Sequence, residues 1–367
     1  MPDLYIGLMS GTSMDGIDAA LVSFGDNVVD IVATHEHHYP KGLKRDLLAA
    51  RDNAALKRCE DVPDLHRSVG ECFRDAAIEL LARADVDRSS VTAIGSHGQT
   101  LRHEPDAEQP YSLQIGDPDI IAATGITTVA DFRRADIELG GQGAPLAPAF
   151  HEWLFREKDA LRVVLNIGGI ANVTVLPAGG GETTGFDTGP GNTLLDAWAR
   201  EHLREQFDRS GAWGATGTVQ DDLLRQMLAD PYFHKPPPKS TGFEYFNMEW
   251  LRRFTVSAIA PADVQATLCA LTTTSIARAI QSTAGGNCDV FVCGGGVHNA
   301  DLMQRLGAEL PDCEVQTTTV AGLDPDWVEA VAFAWLAMRT SQGLTGNLPS
   351  VTGAKGAAVL GSIHQGS

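Results

Sequence analysis

Apolar and polar positions along the chain switch between two periods. A short apolar run from Leu4 to Leu8 reads as a strand. It breaks into Ser10, Gly11, Thr12, Ser13, Asp15 and Gly16, then turns apolar again from Ile17 to Val22. Leu43 to Leu56 and Pro63 to Ala84 carry the spacing of amphipathic helices. Val91 to Leu101 is a strand pattern ending in a polar loop, and Ile126 to Phe132 is another, followed by a Gly-rich loop. Strand, Gly-rich polar turn and strand then recur at Leu161 to Pro177, the grammar of the N-terminal stretch. The echo predicts an internal duplication; a second unrelated Gly-rich hairpin would look the same.

Beyond that echo, "TGFDTGPGNTLLDAWAREHL" reads as a loop feeding a helix, with Asn192 and Thr193 as N-cap candidates. Residues 207 to 260 are mixed, and "KPPPKSTG" makes a rigid, non-helical surface element there. Ala262 to Thr283 is a long helix, "CDVFVCGGGVHNADLMQRL" a strand, Gly-rich turn and helix, and "DPDWVEAVAFAWLAMRT" an apolar helix near the end. Alternating strands and helices imply an α/β chain. No low-complexity linker separates the halves, so two lobes closing over a cleft fit better than beads on a string.

Composition narrows this picture. The 367 residues suit one large domain or two ordinary ones, and 43% hydrophobic residues supply a core. The formal net charge of −19 argues against nucleic-acid backbones and anionic membranes. No apolar stretch is long enough to span a bilayer, and acidic Asp3 without a basic flank is unlike a signal peptide. The six cysteines are scattered with no CxxC pair, which favours a reducing, cytoplasmic setting.

The chemistry concentrates in three Gly-rich turns: residues 10 to 18, 166 to 172 and 294 to 299. Glycines let backbone N–H groups approach an anion, and hydroxyls add donors. Asp15 and Asp18 are placed to hold a hydrated Mg²⁺ near phosphates. None of the turns matches a P-loop. Two hairpins clamping phosphates and a third turn beside the nucleoside is the layout of the actin, hexokinase and heat-shock-chaperone ATPases. The expected fold is therefore two-lobed and actin-like, with a duplicated ribonuclease-H-like core and a central nucleotide cleft. Its expected lobes are residues 1–150 and 151–367, with the C-terminal helix free to pack back on the first.

Taken together, "GLMSGTSMDGIDAAL", "SHGQT", "DFR..D...GGQGAPL.P.FH", "NIGGIANVT", "GFDTGPGN", "PPPKSTG" and "CGGGVHN" closely resemble the anhydro-N-acetylmuramic acid kinase family, over essentially the whole chain. The resemblance implies an ATP-dependent kinase of peptidoglycan recycling, and a homodimer. Such an enzyme converts 1,6-anhydro-N-acetylmuramic acid, ATP and water to N-acetylmuramic acid 6-phosphate and ADP. An ordinary sugar kinase acting on a free hydroxyl is the competing enzyme; a nucleotide-switched chaperone would need an appended domain.

The anhydro-sugar has no free 6-hydroxyl, so a base must activate water against the anomeric carbon. Asp187 matches the family's catalytic aspartate; by residue chemistry alone it is a base or a helix cap. Gly11, Thr12, Ser13, Met14, Asp15, Gly16, Ile17 and Asp18 form the expected first nucleotide turn. Gly168, Gly169 and Asn172 form the opposing clamp, and Gly294, Gly295, Gly296 and Asn299 the adenosine turn. For the sugar, His97, Gln99 and Thr100 offer donors and acceptors from a polar loop. Asp131 and Arg133 follow the same logic, with Arg133 as partner for the lactyl carboxylate or in a salt bridge with Asp136. Gly140, Gly141 and Gln142 would let backbone approach the sugar. Glu329 is either a helix-dipole partner or, as the resemblance implies, a substrate contact. The chain departs from the family at Ala135 and Phe243, where a basic residue is usual. Arg134 is the candidate substitute for the first; no role follows for the second. Closure of the lobes on nucleotide and sugar is expected.

Overall fold

A computed structural model describes residues 3–11, 13–285 and 287–366. The strands are β1 (Leu4–Ser10), β2 (Gly16–Phe24), β3 (Val29–His38), β4 (Val91–Glu104), β5 (Tyr111–Ile115), β6 (Thr128–Ala130), β7 (Arg162–Ile167), β8 (Ile170–Leu176), β9 (Thr184–Pro190), β10 (Asp289–Cys293), β11 (Glu314–Thr317) and β12 (Ser362–His364). The helices used below are α1 (Lys41–Arg51), α2 (Pro63–Ala84), α3 (Thr193–His202), α4 (Pro261–Ala284), α5 (Ala300–Glu309) and α6 (Val328–Ser341).

Two compact units result. One joins Met1–Leu154 to Trp327–Ser367; the other is Phe155–Asp326. The division does not follow chain order, because α6 packs with the first segment. The reason is a pair of glycines: Gly7 on β1 and Gly95 on β4 are ladder partners. A Cβ on Gly7 would lie 1.8 Å from the Ala330 carbonyl oxygen, and one on Gly95 2.0 Å from that of Phe333. Only hydrogen at both positions lets the helix backbone lie on the sheet.

The first unit has a sheet ordered β12-β6-β4-β1-β2-β3, with β5 on β4. The second has β11-β10-β7-β8-β9. In each, three strands form an antiparallel meander, and the first of the three pairs in parallel with a later strand. This is one ribonuclease-H-like strand order used twice, so the echo between the two sequence halves is a repeated fold. Separate apolar cores support the sheets, around Phe73, Leu80 and Ile94 in one unit and Trp198, Leu268 and Trp250 in the other.

Several element boundaries differ from those the pattern predicts. The α1 helix stops at Arg51 rather than Leu56, and β6 keeps only three residues of the apolar run 126–132. The polar stretch after Val91 is no loop: β4 continues through His97, Gln99 and Thr100 to Glu104 because β5 pairs with its far end. Likewise Asp187 lies on β9, not on an exposed turn, because residues 184–190 complete the β8 ladder. Both stretches are polar for reasons other than solvent exposure.

Candidate active site

In the second unit the ladder registers set Asn166 opposite Asn172, and Asn172 opposite Asp187. Direct partners across a sheet share a face, so three polar side chains cross β7, β8 and β9 in one row. The neighbours Leu165, Ile167, Val173 and Phe186 are buried core. Asn172 therefore stands beside Asp187 as well as near the turn it was expected to serve.

Asp187 is held from the segment 235–241. Its backbone N–H donates to the Lys239 carbonyl at 3.0 Å, and the Thr241 N–H donates to its Oδ2 at 2.9 Å. The Tyr232 hydroxyl donates to its carbonyl at 2.7 Å. Oδ1 has no protein partner among the described residues. Burial pushes the carboxyl up to about 6; the Thr241 N–H and Lys239 pull it down, and Glu244 pushes it further up. Asp187 caps no helix: α3 begins six residues later, and Asn192 occupies its N-cap without a side-chain capping bond, its amide donating instead to the Ile167 carbonyl at 3.0 Å.

The β7–β8 hairpin turns at Gly168 and Gly169. Their carbonyls accept the N–H groups of Gly191, Asn192 and Thr193, fastening the hairpin to the start of α3. A Cβ on Gly191 would lie 2.4 Å from the Gly168 oxygen. The third turn packs on the same strand end. Gly294 has φ +79°, a conformation that favours glycine, and a Cβ there would lie 2.2 Å from Asn166 Oδ1. A Cβ on Gly296 would lie 2.4 Å from Ile167 Cγ2. The two Gly-rich turns of this unit are thus neighbours. Asn299, expected at the adenosine, uses its Oδ1 to accept the Leu302 N–H at 3.0 Å as N-cap of α5.

In the first unit the opening turn is braced from within. Gln99 is fully buried; its Oε1 accepts the Ser10 hydroxyl at 2.8 Å and its amide donates to the Gly11 carbonyl at 3.1 Å. Its side chain is consumed by the turn, where a sugar contact was expected. Thr100 Oγ1 is likewise engaged, accepting from Gln114 at 3.1 Å. Met14, at φ +54°, and Ile17 point into the core. Gly11 has open space where a Cβ would be, and Ser13 is exposed. Asp15 is paired with Lys44 of α1. Asp18 lies on β2 between Met9 and Glu36 in the ladders. Thr12 lies outside the described residues.

Three expected sugar residues come together in this unit. Arg133 donates to the Gly143 carbonyl at 2.8 Å, and its other Nη lies 2.8 Å from His97 Nε2. The guanidinium can only donate, so Nε2 accepts and the imidazole carries its proton on Nδ1. Burial, reinforced by Arg133, pushes His97 down to about 3, so it stays neutral. Its ring lies 4.6 Å from that of Phe333 on α6. Burial lowers Arg133 to about 10, with Glu329 and Asp136 opposing, so it remains a cation. Burial also raises the Glu329 carboxyl, and the Arg133 charge opposes that rise.

The expected salt bridge between Arg133 and Asp136 does not form. Asp136 is fully buried and accepts from Gly143 N–H at 2.8 Å, Asn347 at 2.6 Å and Thr352 at 2.7 Å. The "GGQG" loop winds around this carboxylate: a Cβ on Gly141 would lie 2.2 Å from its Oδ2. Gly140 takes φ +80°, and Gln142 is bound through its backbone to Thr352. Arg134 pairs with Asp131, which sits at φ +58°; it is committed there and not free to stand in at Ala135.

The sequence profile of one family, described as anhydro-N-acetylmuramic acid kinase, matches residues 3–366. The chain belongs to this family. A relative of that name from Coxiella burnetii (strain RSA 493 / Nine Mile phase I) is 52% identical over 369 residues, covering 99% of this chain and 97% of its own. Another, from Shewanella halifaxensis (strain HAW-EB4), is 51% identical over 365 residues, covering 98% of each chain. The protein is accordingly a phosphotransferase acting on anhydro-N-acetylmuramic acid. In this kinase, pattern reading missed the residues that hold two of the carboxylates: Lys239 and Thr241 at Asp187, and Gly143, Asn347 and Thr352 around Asp136. The motif "KPPPKSTG" was a signal available for the first pair. Nothing local marks the second, since 211 and 216 residues separate Asp136 from its C-terminal partners. Among the described residues no helix is long and apolar enough to cross a membrane.

Proposed function

We propose that this kinase opens the anhydro ring and phosphorylates in one turnover, with Asp187 as general base. Asp187 takes a proton from water, and the water oxygen bonds to the anomeric carbon. The bond from that carbon to the 6-oxygen breaks, and the 6-oxygen bonds to the γ-phosphorus of ATP as ADP leaves. The observation that carries this reading is the carboxyl itself: raised to about 6, oriented through Oδ2 by Thr241, with Oδ1 free for a water. A base works best with a pKa near the working pH.

His97, Arg133 and Glu329 would hold the sugar, with Arg133 taking the lactyl carboxylate and His97 and Gly143 fixing its fork. The turns at 11–18, 168–172 and 294–299 would hold ATP. Gly11, with open surroundings, and Gly168, where a Cβ would meet only the Ile170 oxygen at 3.6 Å, suit close approach of phosphate oxygens, and Gln99 keeps the first turn in shape. Asp15 and Asp18 are oxygen donors of the kind Mg²⁺ takes, Asp15 once it exchanges Lys44 for the ion; bound there, the ion would supply charge neutralisation. The cellular setting we infer is cytoplasmic peptidoglycan recycling by a homodimer.

The test is turnover of 1,6-anhydro-N-acetylmuramic acid with ATP in ¹⁸O-water. Label at the anomeric oxygen of a 6-phosphorylated product is expected. A product without label there, or turnover of a free hexose only, points to an ordinary sugar kinase and removes this role from Asp187.

A further inference from the structure

One cluster lies outside everything assigned above. Strand alternation puts Ala33, His35 and His37 of β3 on one face, and α2 packs against that strand. His35 is 5% exposed, and its Nε2 lies 2.8 Å from Glu79 Oε2 on α2. His37 Nδ1 lies 3.5 Å from the same oxygen. The two rings stand edge to face, with centroids 5.8 Å apart. The other nitrogen of His35 is buried with no protein partner among the described residues, so the ring's polar engagement is all toward this point. One nitrogen from each imidazole and one carboxylate oxygen lie within 4.8 Å of one another.

A carboxylate receiving one imidazole is an ordinary hydrogen bond. Two imidazoles aimed at the same oxygen from a buried strand face make three Lewis bases converging on one point. Tetrahedral zinc with bonds of ~2.0–2.1 Å sets its ligand atoms about 3.3 Å apart, close to the 2.8 and 3.5 Å seen here. Two imidazole nitrogens and one carboxylate oxygen suit zinc and late first-row ions over Mg²⁺ or Ca²⁺. The strand and helix fix two sides, and Glu79 is exposed, leaving a water-accessible fourth position.

We propose that His35, His37 and Glu79 form a binding site for a divalent transition-metal ion of the zinc class. The ion would clip α2 to the end of β3. That end bears on the first turn: a Cβ on Gly16 would lie 2.6 Å from the His37 carbonyl, and Tyr39 N–H donates to the Asp15 carbonyl at 3.1 Å.

The experiment uses full-length chain without a histidine tag, stripped with chelator and titrated with Co²⁺ and with Zn²⁺. One equivalent per chain is expected, with the intense visible bands of tetrahedral Co²⁺, displaced by Zn²⁺, and a rise in melting temperature with Zn²⁺. Glu79→Gln and His37→Ala, both at positions with solvent access and checked for native circular dichroism, should each weaken binding at least ~10-fold. An exposed histidine elsewhere, replaced in His298→Ala, should leave binding unchanged. No Co²⁺ bands in the native chain, or bands that persist in both Glu79→Gln and His37→Ala, would overturn the site.

Discussion

The two units repeat one strand order but finish their first hairpins differently. In the second unit Gly168 and Gly169 alone join β7 to β8, and the start of α3 holds them through three backbone N–H groups. In the first unit residues 11–15 join β1 to β2, and a buried glutamine on another strand braces them. The short turn is fixed mainly by backbone, with the Asn192 amide donating to the Ile167 carbonyl at its base at 3.0 Å. The long one depends on side chains: Gln99 and Ser10 inside, Asp15 and Lys44 outside. The polar rows differ in the same way. Asn166, Asn172 and Asp187 cross the second sheet where Met9, Asp18 and Glu36 cross the first. Duplication supplied two equivalent frames, and in the second the row across the meander ends on Asp187, a carboxyl raised to about 6. The other carries His97 and Arg133 at the far side of its first strand, with Glu329 supplied by the first turn of α6.

Substitutions can break this division of labour. The largest expected effect is at Asp187→Asn: kcat should fall by ~10²–10⁴ with nucleotide affinity retained. Burial holds this carboxyl above its unfolded value, so its ionisation costs stability as pH rises through about 6. The variant should therefore melt at an equal or higher temperature at pH 7.5; a lower one would mark Asp187 as structural. In the other unit, Arg133→Met should raise KM for the sugar by ~10–100-fold, the worth of a charge-assisted hydrogen bond or two, with KM for ATP unmoved. Equal change in both constants would place Arg133 in the scaffold. Gln99→Leu leaves the Gly11 carbonyl without its amide donor and the Ser10 hydroxyl with the Gly16 carbonyl alone, a cost of about 1–3 kcal/mol in stability. It should raise KM for ATP several-fold with sugar affinity retained; the reverse pattern would return Gln99 to the sugar.

The smallest effect is on pH dependence. Asp187 must be ionised to act, so kcat should decline as pH falls through about 6. Lys239 pulls that carboxyl down, so Lys239→Met should move the acid limb to higher pH, by less than ~1 unit. A limb unmoved or shifted downward would mean another group sets it.

The sequence by itself determined the class, the repeat and the chemistry. Periodicity marks α2 and, to within a residue at each end, α4; Gly-rich turns between apolar runs mark both hairpins; the motif set marks the family and Asp187. These signals are local, a few residues long, and survive without knowledge of what packs on them. Tertiary structure decided the rest. It turned "SHGQT" from a loop into buried strand, because β5, with no local signal at Gln99, pairs alongside. It made Gln99 a brace, and it wound the "GGQG" loop around Asp136 through Asn347 and Thr352. It buried Asp187, and so chose a raised carboxyl, against the downward pull of Lys239 and Thr241, where a nearby helix terminus alone predicts an easily ionised one. Burial and long-range hydrogen bonds set those outcomes, and neither is written in the spacing of neighbours along a chain.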